Sequence, residues 1–461
     1  MNRRCPVLFT FCCLACQTFL LAAPIDEDES SLDELYGQEI EDTEGSPEAP
    51  QELPEGLKEI QQAHRALVAG DLDTCREQLR VAYAKSPNLP PPKLMLARLV
   101  LDTGQIRFAR QLLEEVAVAQ PKHPEVYLLF GRLALADGHT TDAALHFQHA
   151  LSLGEPKNWN DGQRAYLQHA CRQGKTKVAE QRGDWDAAAK LYQAQIEARP
   201  KNAQLRDRFA MALFRAGELD RAFEQFDLAQ LQDESMNPPE VSMAVMFVRQ
   251  HDYANADEWF AKALAKHAQK PAVHFEHSIA MLFQDRTAEA AASANKAAEL
   301  GMVSELLDMH LGLIALQSGD GAAAEKRFTE VLQQSPDNAA AATKLALLLA
   351  ERSDEADRNR AVEIATQVAQ AHPNSPEAVA VIGWANYRNG RKDDGETLLR
   401  AAAAQPGNDP LPLFLYARML YAEQRTQEAE QAAKLLQQRI DQPGLFVFRP
   451  AARKWLAKVE P

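Results

Sequence analysis

From about residue 56 to residue 442 apolar residues recur at three- and four-residue intervals, interrupted by short polar stretches. That is the period of a helix with one buried stripe. The stretches RGDWDAAAKLY (182–192), AGELDRAFEQF (216–226) and QHDYANADEWF (250–260) share one order of turn residue, acid, large apolar, small residue and aromatic, each 34 positions after the last. Followed along the chain, the small residue forms a column: Cys75, Ala109, Ala143, Ala188, Ala222, Ala256, Ala290, Ala324, Ala361, Gly395 and Ala429, spaced 34, 34, 45, 34, 34, 34, 34, 37, 34 and 34. A second small column lies twelve residues upstream and includes Ala97, Gly131, Ala210, Ala244, Ser278, Gly312 and Gly383. Four residues downstream stands a large side chain, among them Phe147, Tyr192, Phe226, Phe260 and Phe328. Glycines such as Gly104, Gly138, Gly217 and Gly390 fall between the helical stretches, where a C-cap calls for a left-handed residue. The pattern predicts antiparallel helix pairs whose small residues permit close approach and whose aromatic fills the gap to the next pair. One pair cannot bury its stripe alone, whereas a stack can.

The 34-residue period, the small residue before the turn, the acidic turn and the following aromatic resemble the tetratricopeptide repeat. The resemblance covers roughly residues 56–442 and implies an all-α, right-handed superhelical solenoid of about eleven helix-turn-helix units. Two units depart from the period. The fourth carries eleven extra residues, an insertion near 158–170 that reads as a lengthened first helix from about Asn160 to Arg182. The ninth has three extra around 354–359, read as a longer loop between its helices. Residues 443–461 read as a capping helix on the last pair, with Trp455 and Leu456 inward and Arg453, Lys454 and Lys458 outward.

The N-terminal end has another composition. Arg3 and Arg4 precede a run from Cys5 to Ala23 that is almost wholly apolar, and small residues close it. Residues 1–23 are therefore expected to be an export signal, placing the protein in the periplasm or outside the cell. Retained, residues 5–23 would be a membrane anchor, the one route to membrane association. Residues 24–55 hold thirteen acids and no lysine or arginine, and read as an acidic disordered linker. They account for most of the net charge of −15. The repeat region is close to neutral and has no long basic run, which argues against nucleic acid as a partner. Cys75 and Cys171 lie about three repeats apart, on the order of tens of Å, against a limit near 7 Å between α-carbons for a bridge. Both are expected to be reduced, structural thiols.

No catalytic motif for nucleophilic, phosphate or zinc chemistry is present after the signal, so the chain reads as a non-enzyme with no cofactor and no metal. His146/His149 and His274/His277 are spaced for one helix face but lack a third ligand in register. What remains is surface. The resemblance implies that the first helix of each pair lines a concave groove. On this chain that groove would hold Arg98, Arg132, Arg215, Arg249, Arg388 and Arg418 at matching unit positions, with Phe275 and Ile279 in an apolar middle. Leu94, Arg98, Leu128 and Arg132 stand where the family's chaperone-tail clamp needs lysine and asparagine. The implied function is a non-catalytic scaffold for partner proteins or peptides, with acidic segments favoured by the arginines. The other reading is an architectural accessory subunit of a cell-envelope export, polysaccharide or assembly machine.

Overall fold

The computed structural model describes residues 56–459 except 155, 157, 158, 406, 408 and 443. The signal and acidic linker read from residues 1–55 lie outside the described residues. Those described residues form 23 helices and no strand, in two compact units that divide after Met236.

The first unit has five helix pairs: α1 (Leu57–Val68) with α2 (Leu72–Lys85), α3 (Pro92–Asp102) with α4 (Ile106–Ala119), α5 (Pro124–Ala136) with α6 (Thr140–Ser152), α7 (Asp161–Gln181) with α8 (Trp185–Ala198), and α9 (Ala203–Arg215) with α10 (Leu219–Gln232). The second has six: α11 (Pro239–Arg249) with α12 (Tyr253–Lys266), α13 (Pro271–Phe283) with α14 (Thr287–Glu299), α15 (Glu305–Ser318) with α16 (Gly321–Gln334), α17 (Ala339–Ala350) with α18 (Glu355–Ala371), α19 (Pro376–Arg388) with α20 (Lys392–Ala403), and α21 (Leu411–Ala422) with α22 (Thr426–Ile440). A last helix, α23 (Arg449–Val459), follows them. Within each unit first helices pack on the first helices of neighbouring pairs, as α5 does on α7 and α17 on α19. The first helices thus form the inner face of each stack.

The turn inside a pair is built by two adjacent residues. Gly183 takes φ 69° to end α7, and Asp184 accepts a hydrogen bond from the Ala187 amide to start α8. Gly319 and Asp320 repeat this between α15 and α16. Three units place a side chain at the left-handed position instead: His251, Asp285 and Gln424, with φ of 57–60°. The fourth unit's insertion lengthens its first helix, which is capped by Asn160 and Gln163 in a reciprocal box. The ninth differs from expectation. Its three extra residues lengthen the second helix, α18, rather than the loop, because Asp354 caps that helix at once. Four-residue back-bonding continues from there, so the added length costs no unpaired backbone groups.

The repeated columns form the core. Ala109, Ala143, Ala188, Ala222, Ala256, Ala324, Phe147, Phe260 and Phe328 are fully buried, and Tyr192 and Phe226 nearly so. Phe147 of α6 is wedged between Gly131 of α5 and Gly174 of α7, where a Cβ added at Gly131 would meet its ring at 2.5 Å. Phe328 makes the same contact with Gly312, at 2.6 Å. The seventh unit carries Ala294 where most others have a large residue. There the buried His310 of α15 reaches the Ser278 hydroxyl at 2.8 Å, and that hydroxyl donates to the Ala290 carbonyl at 2.6 Å. Burial holds His310 down to about 4. The neighbouring Glu276 is enclosed too, and its desolvation raises it to about 7 against the opposing pull of Arg249 and a hydrogen bond from Asn237.

Two outcomes follow for stability. Gly131→Ala should destabilise the first unit by about 1–3 kcal/mol, the usual cost of overpacking. Phe147→Leu in the same chain should return part of that loss in chemical denaturation. An additive pair of losses would mean that Gly131 and Phe147 do not share one contact. The second outcome concerns pH. A buried neutral His310 loses stability as pH falls from about 6.5 towards 4. A buried protonated Glu276 loses it as pH rises from about 4.5 towards 7. The slopes oppose each other. Glu276→Gln should therefore leave a second unit whose stability climbs with pH between these limits, and His310→Gln one whose stability falls. Denaturant melts at stepped pH read both, and two parallel curves would refute the assignment.

Candidate functional site

In the first unit the inner face is largely taken by the chain's own insertion. Arg98 is 2% exposed, not an open donor as its position implied. It pairs with the buried Glu125 at 3.4 Å, donates to the Tyr166 hydroxyl at 3.0 Å and lies 4.8 Å from the centre of that ring. Tyr166 belongs to the lengthened part of α7. Nearby Gln163 donates to the Asn88 carbonyl at 2.8 Å, and Trp159 packs edge-on to His123. Leu94 and Leu128 are fully buried. The eleven added residues thus fold across α3 and α5, which is why the arginine expected at the groove is enclosed. Arg132 is half-buried and lies near Cys171 with Lys175.

The second unit uses its arginines internally. Arg388 donates to the carbonyls of Ala350 and Glu351, at the C-terminal end of α17 where a cation offsets the helix dipole. Arg418 takes both carboxylate oxygens of Glu351, at 2.7 and 3.2 Å, and lies 4.5 Å from the Trp384 ring centre. Trp384 donates its indole N–H to the same carboxylate at 3.1 Å. Glu351 therefore ties three successive first helices together. It occupies the unit position that holds Arg249 and Arg388 elsewhere, and this reversal of charge is the signal in the sequence that an internal pair was possible. Arg249 is half-buried and exerts its charge on Glu276. Phe275 and Ile279 are each 1% exposed. They pack between helices and offer no surface to a ligand, since the adjacent first helices close over them.

The closing segment holds a contact that the sequence reading did not include. Arg449 is buried and clamps Asp285 at 3.1 and 3.2 Å, while its other nitrogens donate to the carbonyls of Ile440, Gln442 and Gly444. Arg453, expected outward, is half-exposed but also reaches Asp285 at 3.4 Å. Trp455 meets Phe414 and Tyr421 edge-on, and Leu456 is buried as expected.

An open pocket lies between α7 and α9. Lys177, Glu180, Gln181, Arg208 and Met211 surround a shallow pocket of about 350 Å³ floored by Tyr192. The Tyr192 hydroxyl donates to Glu180 at 2.7 Å, and burial together with that carboxylate drives its acidity far down. Glu180 is thus engaged by Tyr192, and Arg208 acts on the same hydroxyl from the other side of the pocket. Arg215, the exposed member of the predicted set, stands one turn further along α9 and faces the Trp185 ring at 5.7 Å. Neither histidine pair forms a ligand set. His146 and His149 pack on Tyr127, while His277 bonds Ser293 and His274 meets the Ala268 carbonyl. No group of three metal-binding side chains occurs among the described residues. Cys75 and Cys171 are buried free thiols, each pushed up to about 11 by desolvation. No helix among the described residues is long and apolar enough to cross a membrane.

Comparison with known proteins adds the family. Models described as the tetratricopeptide repeat match residues 66–133 in the first unit, and 177–237, 310–357 and 354–410 across both. A TPR repeat-containing protein of Pseudomonas aeruginosa is 33% identical over 90 residues, which span 20% of this chain and only 15% of that protein. The crystal structure of yeast Tom70 is similar over 88% of this chain and 95% of its own, at 14% identity and a TM-score of 0.34. The APC/C hetero-tetramer Cut9–Hcn1 is similar over 89% and 97%, at 12% identity and a TM-score of 0.38. At those scores the two structures carry no argument about function. No enzymatic family is indicated by the sequence matches. Matches in both units, on helix pairs built around the same buried columns, make the chain a member of the tetratricopeptide repeat family.

Proposed function

We propose that this protein is a non-catalytic scaffold that holds acid-rich, extended segments of partner proteins against the α7–α9 face of its first unit. Repeats of this kind typically serve as protein–protein interaction scaffolds. One observation carries the finer reading: Lys177 and Arg208 line an open pocket between α7 and α9, and the exposed Arg215 follows on α9. Arg132 and Lys175 add positive charge near Cys171, further back along α7. Guanidinium groups pair with carboxylates through two parallel hydrogen bonds, and Met211 and the Trp185 ring supply apolar contact beside them. An acidic peptide could pair with this surface without any change in the internal pairs of Arg98, Arg388 and Arg418. The basic start and apolar run of residues 3–23 support export of the scaffold, so that its partners meet it outside the cytoplasm.

Binding of a fluorescent Asp/Glu-rich peptide, followed by anisotropy, tests the site. Arg208→Glu with Arg215→Glu should weaken it by roughly ten-fold, about 1.4 kcal/mol, and flatten its dependence on salt. Lys190→Glu, on the outer side of α8, should leave both unchanged. Equal affinity for the double variant and the parent would remove the acidic-segment reading. Export has its own measurement. The N-terminal residue of protein purified from the native host should lie at the end of the apolar run, near Ala23, and an intact Met1 on cytosolic protein would overturn it.

A further inference from the structure

The segment after α22 behaves chemically as a ligand of the second unit rather than as another repeat. Its contacts run along the inner face. Phe446 and Trp455 meet Phe414 of α21, Phe448 lies 5.9 Å from the ammonium of Lys344 on α17, and α23 packs on α15 as well as α22. It ends the run on Asp285, in the turn between α13 and α14. The eleven helix pairs are complete without it, because α21 and α22 already pair with each other. Its grip rests on few anchors: Phe446 and Val447, 5% and 6% exposed, the aromatic contacts of Trp455, the buried Leu456, and the Arg449 clamp. Aromatic side chains and arginine are the residues that dominate peptide recognition in grooves.

The receiving carboxylate is placed with care. Asp285 stands at the left-handed turn position that most units give to glycine, with φ 57°. A side chain there is conformationally unfavourable, and aspartate is among the few that tolerate it. In return Asp285 accepts from Arg449, Arg453 and Gln317. Leaving α22, the chain turns through Gly444 at φ 141°, a hinge that few other residues would form. The strap itself carries Arg449, Arg453, Lys454 and Lys458 and no acid within α23.

We infer that residues 444–459 are a releasable internal ligand, and that the inner face of the second unit takes partner segments of the same chemistry: aromatic residues followed by an arginine that reaches Asp285. This rests on the scaffold reading, since it gives the second unit a peptide site of opposite charge preference to the first. A tether of a few residues gives the strap an effective concentration of order millimolar. A partner in trans therefore binds weakly until the strap is loosened.

A labelled synthetic peptide of residues 444–459, titrated against the full chain, tests this. It should bind the parent weakly and Arg449→Ala at least ten-fold tighter, because the strap has lost its latch while Asp285 remains. Adding Asp285→Asn, which keeps a residue that tolerates the turn, should abolish that gain. Amide exchange on the unaltered chain gives a reading that needs no variant: amides of 451–458 should open at least ten-fold more often than those of α19 and α21. Peptide affinity unchanged by Arg449→Ala in a natively folded chain, or strap amides that open only with α21, would overturn the inference. The acidic peptide bound by the first unit reports the scaffold reading separately, so the failure of one is not mistaken for the failure of the other.

Discussion

Everything in this molecule depends on how closely one helix can approach the next. Alanine and glycine at two fixed places per repeat allow that approach, and a large ring four residues on fills the space created. Phe147 shows the logic in full: its ring is shared by a glycine from its own pair and one from the pair that follows. The contact belongs to neither repeat alone, so each pair is stable only as part of a run. At Ala294, one of the places without a ring, a histidine from the next pair enters instead and brings its own polar requirements.

Charge is used on the same neighbour-to-neighbour principle. Arg98 with Glu125, Arg418 with Glu351, and Arg449 with Asp285 each join residues that are distant in sequence and adjacent in the stack. The first and last are enclosed, and such pairs add little net stability, because desolvation offsets their attraction. They fix which surfaces meet. Removing one partner of an enclosed pair would leave the other buried without compensation, which is a far larger loss than the pair's net worth.

The period, the helix pairs and the buried columns were legible because each depends on residues close in sequence and repeats many times. The lengthened α7 was legible for the same reason, as a break in an otherwise fixed interval. The candidate site was less so. Arg215 is exposed, yet Arg98, Phe275 and Ile279 at groove positions are enclosed. Whether an inner-face residue meets solvent depends on what else folds over it, and the covering residues come from outside the repeat: the insertion in one unit, the closing segment in the other. Glu351 carried a readable sign, a reversed charge at an arginine position. Asp285 carried one too, a side chain where glycine is usual. Neither says which arginine will arrive.

The insertion in α7 leaves the packing of the repeats beside it in place. The helix has 21 residues where α5 and α9 have 13, so it grows by about 12 Å at its N-terminal end. Gly174 lies beyond the added turns and faces Phe147, so the lengthening appears as reach. Three residues in α18 are five-sixths of a turn and would rotate a buried stripe by some 60°. They are tolerated at the start of that helix, ahead of the stripe that Ala361 and Ala365 set. Both additions thus sit at the start of a helix, ahead of the residues that set its buried stripe. A lineage of such chains could vary groove coverage by adding turns at a helix start without redesigning a single interface.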